Sequence, residues 1–487
     1  MIRPLAFVLG ILLSLAPILS RGAAAPTQQW IAVSDIHFDP LANPRDVDRL
    51  IDAPAERWRE IFAADGPQAF PDYGHDTNDA LLESVLDAMH ATVHDPAVVL
   101  VTGDFLAHHF RARFNRLARD RDDAAYDAFV DKTIAFLAME FRAAFPRTRI
   151  LPVIGNNDGY CADYASTPGS PFLARFAAAW ASELVNPAAF ASEFSLGGYY
   201  TQPLPAGNAE AIVLNDVLWS AKYSNACGNP HADPGADELT WLSQTLKATG
   251  DAPVWVIGHI PPGVDTFTTL QTHAAQPVPF LADRFNLPFI SVLASDASHV
   301  VMSISGHTHM DGFRIIGPRA GDQSVPMLVI PAVSPVYFGN PSFTVLDVDG
   351  ANAHVLDSQV FTVDNLSAMA KDPRREAQWR REYDFNSVYG RADFDAEHLW
   401  AAQDAIFNDD RVRRRYEQVY DGGSGRAPIT DATWRAYWCS DVAMIATDYA
   451  ACSNPTIQTQ LPPHPSAPPP PTPTPSPSPS PAPSASP

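Results

Sequence analysis

The 487-residue sequence predicts an α/β protein built of layered sheets and helices. Three observations carry this. Short apolar runs rich in β-branched residues alternate with longer stretches of helical periodicity, the candidate functional residues follow those runs directly, and the alternation stops near residue 364. In chain order the strand-like runs are Trp30–Val33, Val98–Thr102, Ile150–Ile154, Ala211–Leu214, Val254–Ile257, Val300–Ser305, Met327–Ile330, Phe343–Val348 and His354–Val360. Each is too short for a helix and apolar enough for a buried strand. Helical patterns cover Thr77–Val93, Asp122–Phe145, Phe172–Leu184 and Asp237–Thr249. Strands separated by helices form parallel units, and the later strands, which lack helices between them, are expected to be antiparallel.

Beyond residue 364 the β pattern disappears. Trp379, Trp400, Trp434 and Trp438 stand among charged residues at helix-like spacing, which predicts a C-terminal helical subdomain over residues 364–460. Residues 461–487 are almost wholly Pro, Ser, Thr and Ala, and such a segment is expected to be a disordered tail because it has nothing to bury. Residues 1–25 resemble an export signal: Arg3, the apolar run Leu5–Leu19 and then Ala23, Ala24 and Ala25. The alternative is an uncleaved anchor, although the run is short for a membrane span. Residues 26–363 remain as the catalytic domain. The expected location is secreted, periplasmic or extracellular.

Four cysteines behind an export signal predict two disulfides, with three possible pairings. The closeness in sequence of Cys439 and Cys452 favours pairing them, with Cys161 to Cys227 as the second. A formal charge of −22 argues against binding a nucleic-acid duplex through a broad basic face. No protein partner is predicted.

Five segments carry the chemistry, each at the C-terminal end of a predicted strand, where open α/β sheets place their sites. They are Asp35-Ile-His37, Gly103-Asp104, Gly155-Asn156-Asn157-Asp158, Gly258-His259 and Gly306-His307-Thr308-His309. Any one alone is weak, since a buried Asp or His is commonly structural. Their common placement points to two adjacent divalent ions, for which carboxylate and imidazole are suitable ligands. The glycines are expected to permit tight turns off the strands. Asp158 is expected to orient Asn156 or a ligand imidazole, Asn215-Asp216 to form a turn, and His109 to be structural or exposed.

This series resembles the calcineurin-like metallophosphoesterases. The resemblance implies a central β-sandwich flanked by helices, with two metals at its edge. It places Asp104 as the carboxylate bridging both ions. Asp35, His37 and His309 complete one site, and Asn156, His259 and His307 the other. Zinc is the expected metal, with Mn or Fe possible. The Gly103-Asp104-Phe-Leu-Ala-His108 stretch resembles the acid sphingomyelinase-like phosphodiesterases, in which such a His lies near the leaving group. The family motif has His where this chain has Asn157, and the Gly-Asn-Asn-Asp form resembles endopolyphosphatases. Asn157 can donate to a phosphoryl oxygen but offers no titratable proton near neutral pH, which leaves His108 as the expected general acid; a supporting or surface role is its alternative.

The expected reaction is hydrolysis of a phosphodiester, sphingomyelinase-like or nucleotide-type, by a hydroxide bridging the ions. The alternatives are a phosphatase acting on polyphosphate or monoesters, and a surface binding protein that has kept its metal site. The expected partner is a small phosphate-ester or phosphoanhydride substrate, with transient contact to a lipid surface.

Overall fold

The computed structural model describes residues 26–64, 66–118, 121–228, 232–319, 323–390 and 393–454. The predicted export signal and proline-rich tail lie outside the described residues. Twelve strands occur among those residues: β1 (Thr27–Val33), β2 (Val98–Thr102), β3 (Arg149–Val153), β4 (Tyr200–Pro203), β5 (Glu210–Val213), β6 (Val254–Ile257), β7 (Val300–Ser305), β8 (Gly312–Ile316), β9 (Val325–Val329), β10 (Ser342–Asp349), β11 (Val355–Val363) and β12 (Trp379–Asp384). They form two mixed six-stranded sheets, ordered β12-β11-β10-β1-β2-β3 and β4-β5-β6-β7-β9-β8.

Within the first sheet β1, β2 and β3 run parallel, while β10, β11 and β12 are antiparallel; the expectation of antiparallel later strands thus holds for β10 and β11 but not for β9, which runs parallel to β7. Within the second, β5, β6, β7 and β9 run parallel, with β4 and β8 antiparallel at the edges. The sheets meet through large side chains. Trp30 on β1 and Trp255 on β6 are fully buried, their ring centroids 4.6 Å apart. One continuous apolar core joins residues of both sheets and the helices over β1–β3. A second cluster lies where helices Pro234–Thr249 and Asp283–Ser295 cover the second sheet.

The helices begin where side chains can cap them. Asn78 accepts from Leu81 N, Asp122 from Ala125 N and Ser170 from Leu173 N, each satisfying a backbone donor that the first turn leaves unpaired. All nine expected strands form, within a few residues of their predicted ends. The three that the sequence does not announce, β4, β8 and β12, are all edge strands. An edge strand needs no continuous apolar run and tolerates charge or Pro, as Trp-Arg-Arg-Glu-Tyr-Asp on β12 and Pro203 on β4 illustrate.

The strand β12 corrects the expectation that β structure ends at residue 364. Trp379 lies on that strand, and Trp400, Trp434 and Trp438 lie on helices. The rest of the C-terminal region is helical, with helices Phe385–Tyr389, Ala396–Asn408, Asp410–Val419, Trp434–Ser440 and Ala446–Ser453. It is fastened to the second sheet by Arg314 on β8, which donates to Ser440 O at 2.8 Å, and by Asn286, which donates to Met444 O at 2.9 Å. Both favoured disulfides form, Cys161–Cys227 and Cys439–Cys452. Among the described residues no helix is long and apolar enough to cross a membrane.

Candidate metal centre and active site

The C-terminal ends of β1, β2 and β3 converge on those of β6 and β7, so all five motifs open into one place. Backbone hydrogen bonds fix the junction: Asp35 N donates to Gly103 O at 3.1 Å and His37 N to Asp104 O at 2.8 Å. Five of the expected ligands adopt left-handed backbone conformations, with φ of 49° at Asp35, 44° at His37, 55° at Asp104, 68° at His307 and 62° at His309. Each such residue carries steric strain, which is characteristic of functional sites whose surroundings overdetermine the backbone.

The motif glycines have a different role from the one expected. Only Gly103, with φ of 93°, needs a glycine conformation; Gly155, Gly258 and Gly306 do not. They are glycine because a side chain would occupy the site. A Cβ at Gly306 would fall 2.7 Å from Asp35 Oδ2, and one at Gly103 would fall 2.6 Å from His259 Nδ1. The turns are made by the ligands themselves.

Asp104 lies at the centre. Its Oδ2 is 3.4 Å from His37 Nε2 and 3.5 Å from His259 Nε2. To one side, Asp35 Oδ1 is 3.4 Å from His309 Nε2 and 3.7 Å from His37 Nε2. To the other, Asn156 Oδ1 is 3.1 Å from His259 Nε2. Potential ligand atoms of Asp35, His37 and Asp104 lie within 4.8 Å of one another, as do those of Asp104, His259 and His307. Those of His37, His108 and His309 do likewise, so His108 borders the first group.

The hydrogen bonds around this cluster fit divalent cations. His37 Nδ1 lies 2.9 Å from Leu106 O and His259 Nδ1 lies 2.7 Å from Thr102 O, so both rings donate outward and turn Nε2 inward. Such outward donation orients metal-ligating imidazoles. Asn156 donates through Nδ2 to Asp163 Oδ1 at 2.7 Å, which directs its carbonyl oxygen at His259 Nε2. In the neutral ring two acceptors then face each other at 3.1 Å, an arrangement that a cation between them satisfies. Asp35 Oδ1 is buried with no hydrogen-bond partner.

In the metal-free chain, protons answer the same field. Burial opposes charging His37, but Asp104 and Asp35 outweigh it and raise the imidazole to about 9. Burial is outweighed likewise at His259, which Asp104 raises to about 10. Burial, with His259 adding repulsion, lowers His307 to about 3; burial, against the pull of Asp35, lowers His309 to about 3. Although burial penalises its charge, Asp104 is held well below the usual carboxylate range by His259 and His37.

The family model for calcineurin-like phosphoesterases matches residues 31–311, which include all five motifs. The chain belongs to this family. It is 27% identical over 425 residues to acid sphingomyelinase-like phosphodiesterase 3b of Homo sapiens, covering 84% of this chain and 86% of that protein. It is 28% identical over 323 residues to sphingomyelinase phosphodiesterase D of Dictyostelium discoideum, covering 65% and 66%. It is 23% identical over 454 residues to cyclic GMP-AMP phosphodiesterase SMPDL3A of Rattus norvegicus, covering 91% and 95%.

Around the metal centre of this calcineurin-like phosphoesterase stand groups that the sequence does not announce. Asp76 is buried, and its Oδ1 lies 2.9 Å from His108 Nδ1 while its Oδ2 accepts from His108 N, also at 2.9 Å. Ser334 donates to the same Oδ1 at 3.2 Å. Burial disfavours the Asp76 charge, but His108 and His37 outweigh it and hold the carboxyl at about 2. His108 stacks on His37 with centroids 4.0 Å apart, and its Nε2 lies 3.5 Å from Tyr337 Oη. A capping Asp ahead of a helix is common, and nothing in the sequence links Asp76 to a His across 32 residues.

Asp158 does not bond Asn156 or any imidazole. It accepts from Phe105 N at 2.9 Å, Leu106 N at 3.1 Å and Gly155 N at 2.8 Å, and so straps the loops after β2 and β3 together. It reaches the imidazole of His37 only through the Leu106 backbone. Asp216 opens a short 3₁₀ turn, as expected of that segment, yet its carboxylate also accepts from His259 N at 2.9 Å and Ile260 N at 3.0 Å. Asn157 donates from Nδ2 to Asp104 Oδ2 and from its backbone to Asp104 Oδ1, both at 2.8 Å, leaving one amide hydrogen for another acceptor. His109 is exposed and begins helix Phe110–Leu117.

A cleft of about 340 Å³ runs from His307 along Tyr164, Phe280, Tyr337 and Phe338. A larger hollow of about 650 Å³, lined by Arg319, Trp400 and Asp404, contains none of the expected ligands.

Proposed function

We propose that the protein is a phosphodiesterase that hydrolyses a small phosphate ester with two divalent ions, and that the His108–Asp76 pair protonates the leaving oxygen. Asp104 would hold both ions, with Asp35, His37 and His309 on one side and Asn156, His259 and His307 on the other. When bound, the ions supply Lewis acidity and a water made nucleophilic near neutral pH. Zinc suits this nitrogen-rich set, as do Mn and Fe.

The observation that carries the reading is the placement of His108. Its ring lies against His37, at the edge of the donor cluster, and Asp76 accepts its Nδ1–H. That bond fixes the ring orientation and occupies Nδ1, leaving Nε2 as the nitrogen that would donate. Asn157 holds Asp104 and retains one N–H for a phosphoryl oxygen, a positioning role that needs no titration.

The likeness to proteins named phosphodiesterases, over most of the chain, favours a diester over a monoester. The substrate would be a phospholipid headgroup ester or a nucleotide. Exposed Phe267, Tyr337 and Phe338 at the cleft rim are in keeping with transient contact to a lipid surface. Two disulfides suit an exported protein. The catalytic unit would extend from residue 26 through strand β12, with the C-terminal helices from Phe385 onward as a separate unit packed against it.

The test is hydrolysis of bis-p-nitrophenyl phosphate by the mature protein with its bound metals counted, beside p-nitrophenyl phosphate and polyphosphate. Two metals and diester turnover are expected. Turnover of monoester or polyphosphate alone would move the assignment to a phosphatase. A filled site without turnover of any of them would make it a binding protein.

A further inference from the structure

Tyr164 and Lys222 line one wall of the cleft, and disulfide Cys161–Cys227 ties together the two loops that carry them. Backbone bonds join them as well: Ser224 N donates to Tyr164 O at 2.9 Å, and Tyr164 N donates to Asn156 O at 2.8 Å. The wall is thereby anchored on one of the expected metal ligands. Its inward face carries Tyr164, whose Oη lies 3.4 Å from His307 Nε2, and Lys222, whose Nζ lies 3.5 Å from that Oη. Tyr164 is held in a left-handed conformation, with φ of 55°, so its direction is imposed by the surroundings.

Among the described residues Lys222 forms no ion pair with a carboxylate. Its Nζ has Tyr164 Oη as its hydrogen-bond partner and lies 5.1 Å from the centre of the same ring. Asp163 is close by but is turned to Asn156, to which it is hydrogen-bonded at 2.7 Å. A chain with a formal charge of −22 has acids in excess, so an ammonium left without one, a single phenol away from His307, is poised for an anion. With the scissile phosphoryl group assigned to the metal ligands, an anion at Lys222 would be a second one.

Resting on the phosphoesterase reading, we propose that Tyr164 and Lys222 form a subsite for a second phosphate of the substrate, next to the scissile one. Tyr164 donates its hydroxyl and Lys222 its ammonium, and the disulfide holds both in register with His307. The favoured substrate thus carries at least two phosphate groups. A zwitterionic headgroup, with a quaternary ammonium in this position, would meet Lys222 as a like charge.

The experiment is calorimetric titration of the metal-loaded protein with orthophosphate, adenosine monophosphate and α,β-methylene adenosine diphosphate, which differ in the second phosphate and cannot be turned over at the bridging position. The parent is expected to bind the diphosphate analogue about tenfold more tightly than the monophosphate, the worth of one charge-assisted contact at an exposed site. Lys222→Met should erase that ratio and leave orthophosphate binding unchanged, while Lys222→Arg should keep it. Arg426→Gln removes the same charge from another part of the cleft lining and should also keep it. A ratio near one in the parent, a ratio untouched by Lys222→Met, or equal losses in Lys222→Met and Arg426→Gln would overturn the proposal. Failure of orthophosphate to bind the metal-loaded parent would count against the phosphoesterase reading instead, since the nucleotide ratio reports on Lys222 without it.

Discussion

Replacing Asp76 with Asn should slow the enzyme in proportion to how poor its leaving group is. The carboxylate accepts from both the backbone and the ring of His108, each at 2.9 Å, and from Ser334 at 3.2 Å, with only 4% of its side chain exposed. Asparagine keeps the shape and loses the charge and one acceptor. If its oxygen stays on the backbone N–H, its amide turns an N–H toward His108 Nδ1, and the ring must then carry its proton on Nε2 as a neutral group. A hydrogen bond to a charged partner contributes roughly 1.5–3 kcal/mol against about 0.5–1.5 for a neutral one. The difference of ~1–2 kcal/mol corresponds to a fall of about 5- to 30-fold in kcat. The assay is kcat for phosphodiesters whose leaving alcohols span a range of acidity. Esters of acidic phenols leave without help and should show little loss; esters of alkyl alcohols should show the full loss, with KM nearly constant. An equal loss for every leaving group, or a loss confined to KM, would refute proton donation by His108 and leave Asp76 a structural residue.

Other outcomes follow from the same geometry. His108→Ala should cost about 10²–10⁴-fold on alkyl esters, the usual worth of a general acid, while bound metal stays unchanged. Loading metal into the chelated protein at pH 7 should release about one proton each from His37 and His259: their metal-free pKa values of about 9 and 10 mean both are protonated there, whereas metal takes the neutral ring. The release, read with an indicator in weak buffer, should vanish above about pH 10, and metal affinity should fall as pH drops below about 10 and more steeply below about 9. Gly306→Ala drives a Cβ to within 2.7 Å of Asp35 Oδ2, so it should lower the metal count and destabilise by roughly 1–3 kcal/mol, visible in metal analysis and denaturant unfolding. Replacing Cys439 and Cys452 with Ser opens a crosslink with a sequence separation of 13 and should lower stability by about 3 kcal/mol, with little change in kcat because these residues brace helices away from the metal centre.

What the sequence discloses and what it withholds divide along physical lines. Central strands must be apolar along their whole length, so β2, β6 and β7 are legible to the residue. Edge strands β4 and β12 are half solvated and their sequences look like loops, while β8 is buried but offers only a short apolar run broken by Arg314. Residues expected to touch a metal stand out because Asp, His and Gly recur directly after buried strands. Those that support them are less legible: Asp76 carries no mark in the sequence, and Asp158 and Asp216, though their motifs draw attention, act through backbone N–H groups of other loops that only folding brings near. The glycine roles were hidden for the same reason. A sequence shows that a glycine is present, but only packing shows that at Gly306 the obstacles are the Ser34 hydroxyl and the Asp35 carboxylate and not the turn.

The left-handed ligands bear on the history of the site. Asp and His enter that backbone region more often than most side chains, but still against a steric cost that glycine does not meet. In a lineage that no longer bound metal, exchanges to Gly at residues 35, 37, 104, 307 and 309 would relieve that local strain, so nothing would hold Asp and His there. This chain keeps the strained residue at all five positions. Metal occupancy is the condition under which that arrangement is worth maintaining.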